Sequence, residues 1–193
     1  MDLAALTALL SAFGLSASAG LNAYIPLLVV ALTARFTPLI TLNAPYDILT
    51  SGWVIGALFV LLVVEVLADK VPGVDHLNDL AGLILRPAAG AVLFAASTGA
   101  VAAIDPRLAV VAGLLVAGAA HSAKATARPM VTATTGGLGN PVISTVEDVA
   151  ALFTSILAVV FPLLIGAVAL VFALIVAWWM TRRRRRTVRA GAV

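Results

Sequence analysis

Apolar residues run along this chain in long blocks separated by short polar stretches. The first block covers 3–34, about 32 residues, more than the roughly 20 that cross a bilayer as one straight helix. Its middle reads Gly14-Leu-Ser16-Ala-Ser18-Ala-Gly20-Leu-Asn22-Ala-Tyr24-Ile-Pro26. Two readings compete there: one tilted or kinked helix, or two half-length helices. A polar, turn-rich loop with Pro38, Asn43 and Pro45 follows over 35–51. A second span is expected over 52–68, ending in Glu65 and Asp69-Lys70. Asp75 predicts the N-cap of a short amphipathic helix over 76–85. Arg86-Pro87 then opens a third span at about 87–104. Asp105-Pro106 reads as an N-cap with proline at the first helical position, and it starts a fourth span at about 107–127.

Residues 128–146 are polar and glycine-rich, from Arg128-Pro129 through Gly136-Gly137 to Asn140-Pro141. Irregular backbone cannot lie against lipid, so this stretch is expected in water or inside the bundle. Ser144-Thr-Val-Glu147 fits a capping box and predicts the start of a last apolar block at about 148–180, again overlong, with Pro162 and Gly166 in its middle. Trp178 and Trp179 suit an interface just before a run of arginines. The pattern predicts an all-α, polytopic transmembrane helix bundle of about five spans, or six if an overlong block is a hairpin, with interrupted or re-entrant segments. One transmembrane domain is expected over 1–181 and a basic tail over 182–193.

Composition supports the bilayer as solvent. Of 193 residues, 62% are hydrophobic and only 11% charged, against about 25% charged in soluble domains. With no cysteine, disulfides, thiolate metal sites, iron–sulfur clusters and cysteine nucleophiles are excluded. The net charge of +3 is local, because six of the twelve basic residues lie in 182–189. Nucleic-acid binding is therefore not expected. Arg182, Arg183, Arg184, Arg185 and Arg186 instead suit anionic lipid headgroups. The positive-inside rule puts this end in the cytoplasm. Met1-Asp2-Leu3-Ala4 has no basic n-region, so the first block is expected to remain as an anchor. Arginine outnumbers lysine ten to two, and alanine and valine dominate. That usage suggests a GC-rich bacterial genome and hence a multi-pass protein of the cytoplasmic (inner) membrane.

Ionisable residues in membrane segments are costly and are functional candidates for that reason. Glu65 and Asp69 are four apart and share a face of the second span. His121, Lys124 and Arg128 are three and four apart and share a face of the fourth. Both sets sit at C-terminal ends of spans running in the same direction, so an acidic and a basic face meet at one depth. Asp75, Asp79, Arg86, Asn140, Glu147 and Asp148 crowd the same side. Charges partly removed from water must be paired, and a pair such as Glu65–Lys124 would lock two helices together. The same zone would also serve as a water-accessible binding cavity. In that reading Arg86, His121, Lys124, Arg128 and Asn140 bind a small anionic group, while Glu65, Asp69, Glu147 and Asp148 carry a coupling proton or pair the cations. Asn22, Tyr24, Asp75 and Asp79 are structural polar groups.

The two interrupted elements, around Asn22 and Asn140, resemble the broken helices of transporters. Alternatively, the small residues of 14–20 only permit close helix packing. Arg86-Pro87 and Arg128-Pro129 echo each other, a hint of duplicated halves. No Walker loop, HExxH or nucleophile elbow is present. His76 with Asp75 and Asp79 is a weak candidate for a divalent cation. No metal and no cofactor is expected.

Several stretches resemble the membrane family known as domain of unknown function 4126. They are Gly14 to Leu28, Glu65-Val-Leu-Ala-Asp-Lys-Val-Pro-Gly-Val-Asp75, Arg86-Pro-Ala-Ala-Gly90, and the Gly-Asn-Pro run to Glu147-Asp148. The resemblance implies a compact multi-helix membrane protein and carries no activity. Three function classes follow. The first is a secondary transporter or lipid-carrier translocase for a small anionic group, with proton coupling. The second is a structural or partner-binding membrane protein whose ion pairs only lock helices. An intramembrane enzyme using Glu65 or Asp69 with His121 as acid and base ranks last, for want of a nucleophile or metal motif. Membrane lipid, anionic headgroups and a small anionic solute are the expected partners, and a homo-oligomer is left open.

Overall fold

The first block breaks at Asn22. Helix α1 (Leu3–Leu21) starts on Asp2, whose carboxylate accepts from the Ala5 N–H at 2.7 Å. Helix α2 (Tyr24–Phe36) follows after two residues. Asn22 causes the break: its Oδ1 accepts from the N–H groups of Tyr24 and Ile25, both at 3.0 Å. The side chain thus competes with the backbone for donors that a continuous helix would use itself. The half-length reading of 3–34 is the one adopted.

The computed structural model describes residues 2–71, 74–99 and 104–190, and within them not the side chains of Asp75, His76 or 183–190. After α2 come a 3-10 turn at Tyr46–Thr50 and five further helices: α3 (Gly52–Ala68), α4 (Val74–Thr98), α5 (Pro106–Thr135), α6 (Asn140–Val160) and α7 (Pro162–Ala190). No strand occurs among the described residues. α5 begins as expected, with Asp105 accepting from the Arg107 N–H at 2.7 Å and proline in the first turn.

Four boundary expectations are corrected. A separate helix over 76–85 and a span over 87–104 are one helix, α4, with Pro87 inside it. A proline removes one backbone donor without necessarily ending a helix, and here the chain continues through it. The Asp75 cap falls outside the described side chains.

Residues 128–146 are not irregular. α5 runs past Pro129 to Thr135, turns at Gly136 and Gly137 (φ 62° and 88°), and α6 begins at Asn140. Threonines in that last stretch return their hydroxyls to the preceding turn, Thr132 to the Arg128 carbonyl at 3.1 Å and Thr135 to the Val131 carbonyl at 2.7 Å. Ser144–Glu147 is not a capping box, because the helix starts one turn earlier with Pro141 in its first turn. The 148–180 block is two helices, broken at Phe161–Pro162, where Pro162 has no N–H to continue the ladder.

Among the described residues, five helices are long and apolar enough to cross a membrane: α1, α4 from Leu77, α5, α6, and α7 as far as Arg182. The count agrees with expectation, but the last block supplies two of the five, and the span expected over 52–68 is not among them. α2 and α3 are shorter, at 13 and 17 residues, or roughly 20 and 25 Å at 1.5 Å per residue. The outer surface is apolar, with Trp53, Phe59, Leu115, Phe153 and Phe172 all exposed. This is a multi-pass membrane protein.

α1 lies at the centre, packed on α4, α5, α6 and α7. Its small residues do pack closely. A Cβ on Gly14 would sit 2.8 Å from the Ala158 Cβ. Ser16 donates to the Gly90 carbonyl at 2.9 Å, and Ser18 to the Ala151 carbonyl at 2.8 Å. Such hydrogen bonds between helices hold where apolar contact alone cannot discriminate protein from lipid.

Candidate functional site

The charged residues of α3, α4, α5 and α6 meet in one buried cluster. Arg86 is fully buried. Its guanidinium lies beside Gly82, where a Cβ would stand 3.2 Å from Cζ. It holds Glu65 Oε1 at 3.0 Å, and Asp79 Oδ1 lies at 3.7 Å. Lys124 holds Glu147 Oε2 at 2.7 Å, with Asp69 Oδ2 at 3.7 Å. Arg128 holds Asp79 Oδ2 at 2.6 Å and Asp69 Oδ2 at 3.2 Å, and Glu147 Oε2 lies at 3.7 Å. Glu65 is therefore paired with Arg86, and the Glu65–Lys124 lock is replaced by that pair.

Asp69 follows the end of α3 and is the most shared acceptor. Asn78 donates to its Oδ1 at 2.7 Å and Ser144 to its Oδ2 at 3.1 Å. Burial works to raise its pKa, yet Lys124, the Asn78 hydrogen bond and Arg128 outweigh it and hold the carboxyl below its ordinary value. Asp148 accepts from Asn22 Nδ2 at 2.9 Å, which ties the α1–α2 break to α6. The cluster thus sets five acidic side chains (Glu65, Asp69, Asp79, Glu147, Asp148) against three basic ones (Arg86, Lys124, Arg128).

His121 stands between them, 1% exposed. Its Nδ1 is 2.9 Å from Arg86 Nη1. A guanidinium can only donate, so Nδ1 accepts and the ring proton resides on Nε2. Among the described residues that Nε2–H has no hydrogen-bond partner, and neither has the Nε–H of Arg128. Both residues line a cavity of about 340 Å³ with Asp79, Thr132 and Asn140 on its polar part and Leu80, Leu83, Ala125 and Pro129 on its apolar part. Thr132 and Asn140 lie within hydrogen-bond reach of each other at 3.1 Å.

The profile of the family described as Domain of unknown function (DUF4126) matches residues 9–183. The chain belongs to that family. Neither a curated protein nor a solved structure matches it.

In this DUF4126 protein, then, Arg86, His121, Lys124, Arg128, Glu65, Asp69, Glu147 and Asp79 share one cluster, joined through Asn22 and Asp148. Asn140 reaches the cavity beside it. Tyr24 lies at the break, packed against the apolar core. Asp75 and His76 lie outside the described side chains, so their cation site with Asp79 is left there. Among the described residues no group of three or more His, Cys, Asp or Glu is placed to hold a metal ion. Sequence reasoning assigned no site role to Asn78, Thr132, Ser144 or the Leu21 carbonyl. Ser144 carried a signal, since it stands three residues before Glu147 on α6, but that signal also fits a helix cap.

Proposed function

We propose that the chain is a secondary carrier for a small anionic group, coupled to protons, with the cluster as its switching centre. One observation carries this reading: His121 and Arg128, each with a buried N–H that has no partner among the described residues, both line the same cavity. Buried donors are costly to leave unpaired, and an oxyanion is the ligand that would use both. The three cations are already matched by carboxylates, so a further anion needs one carboxylate neutralised. Asp79 is the carboxylate whose neutralisation would free Arg128, because it lines the cavity and holds Arg128 at 2.6 Å. Proton and anion then bind together and move in the same direction.

The test uses vesicles carrying a pH dye and a panel of small carboxylates and inorganic phosphate. Arg128→Ala is expected to lower anion-driven proton entry about tenfold to a hundredfold at every pH, the loss of a charged hydrogen-bond donor. Asp79→Asn is expected to retain anion entry and lose its dependence on pH. If both variants behave like the parent, the second reading holds: a membrane protein whose ion pairs only fasten α3 to α6. The density of pairs, seven among seven side chains, is what favours that alternative.

The basic tail supports a cytoplasmic C-terminus, and the excess of arginine over lysine with abundant alanine and valine supports a bacterial cytoplasmic membrane as the setting. A cysteine introduced after Arg189 is expected to react with an impermeant thiol reagent only in opened cells. Labelling in intact cells would reverse the orientation.

A further inference from the structure

The break between α1 and α2 frees a carbonyl. In a continuous helix the Leu21 oxygen would accept from the Ile25 N–H. That N–H goes instead to Asn22 Oδ1 at 3.0 Å. The Leu21 oxygen accepts from Lys124 Nζ at 3.1 Å. The same ammonium sits 2.7 Å from Glu147 Oε2 and 3.7 Å from Asp69 Oδ2, with the Lys124 side chain 1% exposed. Three oxygens, from the end of α1, the residue after α3 and α6, therefore converge on Lys124 Nζ, and the Arg128 guanidinium shares the two carboxylate oxygens at 3.2 and 3.7 Å. One of them is at a helix C-terminus, where the backbone dipole is negative. Freed carbonyls of broken helices, joined by carboxylates, are the donor set with which membrane carriers hold a free monovalent cation. A lysine ammonium is itself a compact point charge with three donors.

We propose that Lys124 Nζ fills a monovalent-cation seat at the α1–α2 break, so that the chain carries on a tether the cation that such a break otherwise takes from solution. The native protein needs neither Na⁺ nor K⁺ to hold the break against α3 and α6. Shortening Lys124 opens the seat to a free cation. The inference rests on the geometry of the break and holds whether or not an anion is transported.

The test is thermal unfolding in detergent at constant ionic strength, with NaCl, KCl, methylammonium chloride or choline chloride. The parent is expected to give one Tm in all four. Lys124→Ala is expected to unfold lower in choline and to recover saturably with a small cation. The recovery should be roughly 5–10 °C at a hundredfold excess over half-saturation. Lys124→Met fills the seat with an apolar chain and should not respond, nor should the double variant Lys124→Ala, Glu147→Gln. A Lys124→Ala protein with the same Tm in all salts, or unable to fold in any of them, overturns the proposal. So does a Lys124→Met protein that responds equally. Cation rescue in a protein that moves no anion would leave this inference standing and end the carrier reading alone.

Discussion

Arg86→Met is expected to destabilise the folded protein by about 3–5 kcal/mol, the penalty for leaving a buried charge without its partner. Arg86 is fully buried, and its guanidinium binds across α3, α4 and α5 at once. Glu65 is 5% exposed. Methionine in place of Arg86 would leave the Glu65 carboxylate without its ion pair and remove the donor that sets the His121 tautomer. A loss of that size is a large share of the roughly 5–15 kcal/mol that holds a typical domain folded. The double variant Arg86→Met, Glu65→Leu removes both charges and should recover most of the stability, since apolar replacement of a whole buried pair is often neutral. It should not recover any property that depends on His121, which still lacks its Nδ1 donor. Unfolding in detergent measures both. A single variant as stable as the parent would mean that water or rearranged partners compensate Glu65, and the cluster would not be the buried network it resembles.

The spacing of charges made the site legible before its helices were. Glu65 with Asp69, and His121 with Lys124 and Arg128, share faces by helical periodicity alone, and helices of known direction then bring the two sets to one depth. The partner assignment was not legible. It turns on Arg86, and reading Pro87 as a helix start put Arg86 in a connection, whereas the continuous α4 carries it inward between Glu65 and His121. The stretch 128–146 misled for a related reason. Glycine, threonine and proline lower helix propensity one residue at a time, but burial of Arg128 among its carboxylate partners holds the helix past Pro129, and the threonine hydroxyls are satisfied on carbonyls of the preceding turn. The frayed composition is confined to the two glycines that turn the chain. Tertiary burial decided the boundaries beside Arg86 and Arg128, whereas the break at Phe161–Pro162 is local, set by the missing N–H of Pro162.

Gly113→Val is expected to cost at least about 3 kcal/mol, the upper part of the range for overpacking, because its neighbours are backbone. A Cβ on Gly113 would meet the Gly90 carbonyl, with the Ala91 Cα at 2.7 Å and the Gly90 carbonyl carbon at 2.8 Å. None of these can rotate away, so α4 and α5 must separate. Gly90 repeats the constraint from the other side, its Cβ meeting the Gly113 oxygen at 2.8 Å. Gly56→Ala is the control. Gly56 has nothing within 4 Å of its Cβ position, so alanine should be neutral or stabilise by roughly 0.5–1 kcal/mol through lower backbone entropy. The consequence reaches the site. α4 carries Asp79 and Arg86, and α5 carries His121 and Arg128, so a wider seam should loosen the Arg128–Asp79 pair at 2.6 Å and the Arg86–His121 contact at 2.9 Å. Combining Gly113→Val with Arg86→Met separates packing from electrostatics. If the two act independently, their costs should add to within about 0.5 kcal/mol. If close helix packing is what brings the charges together, the cluster is already loosened in Gly113→Val. Removing Arg86 should then cost distinctly less than it does in the parent.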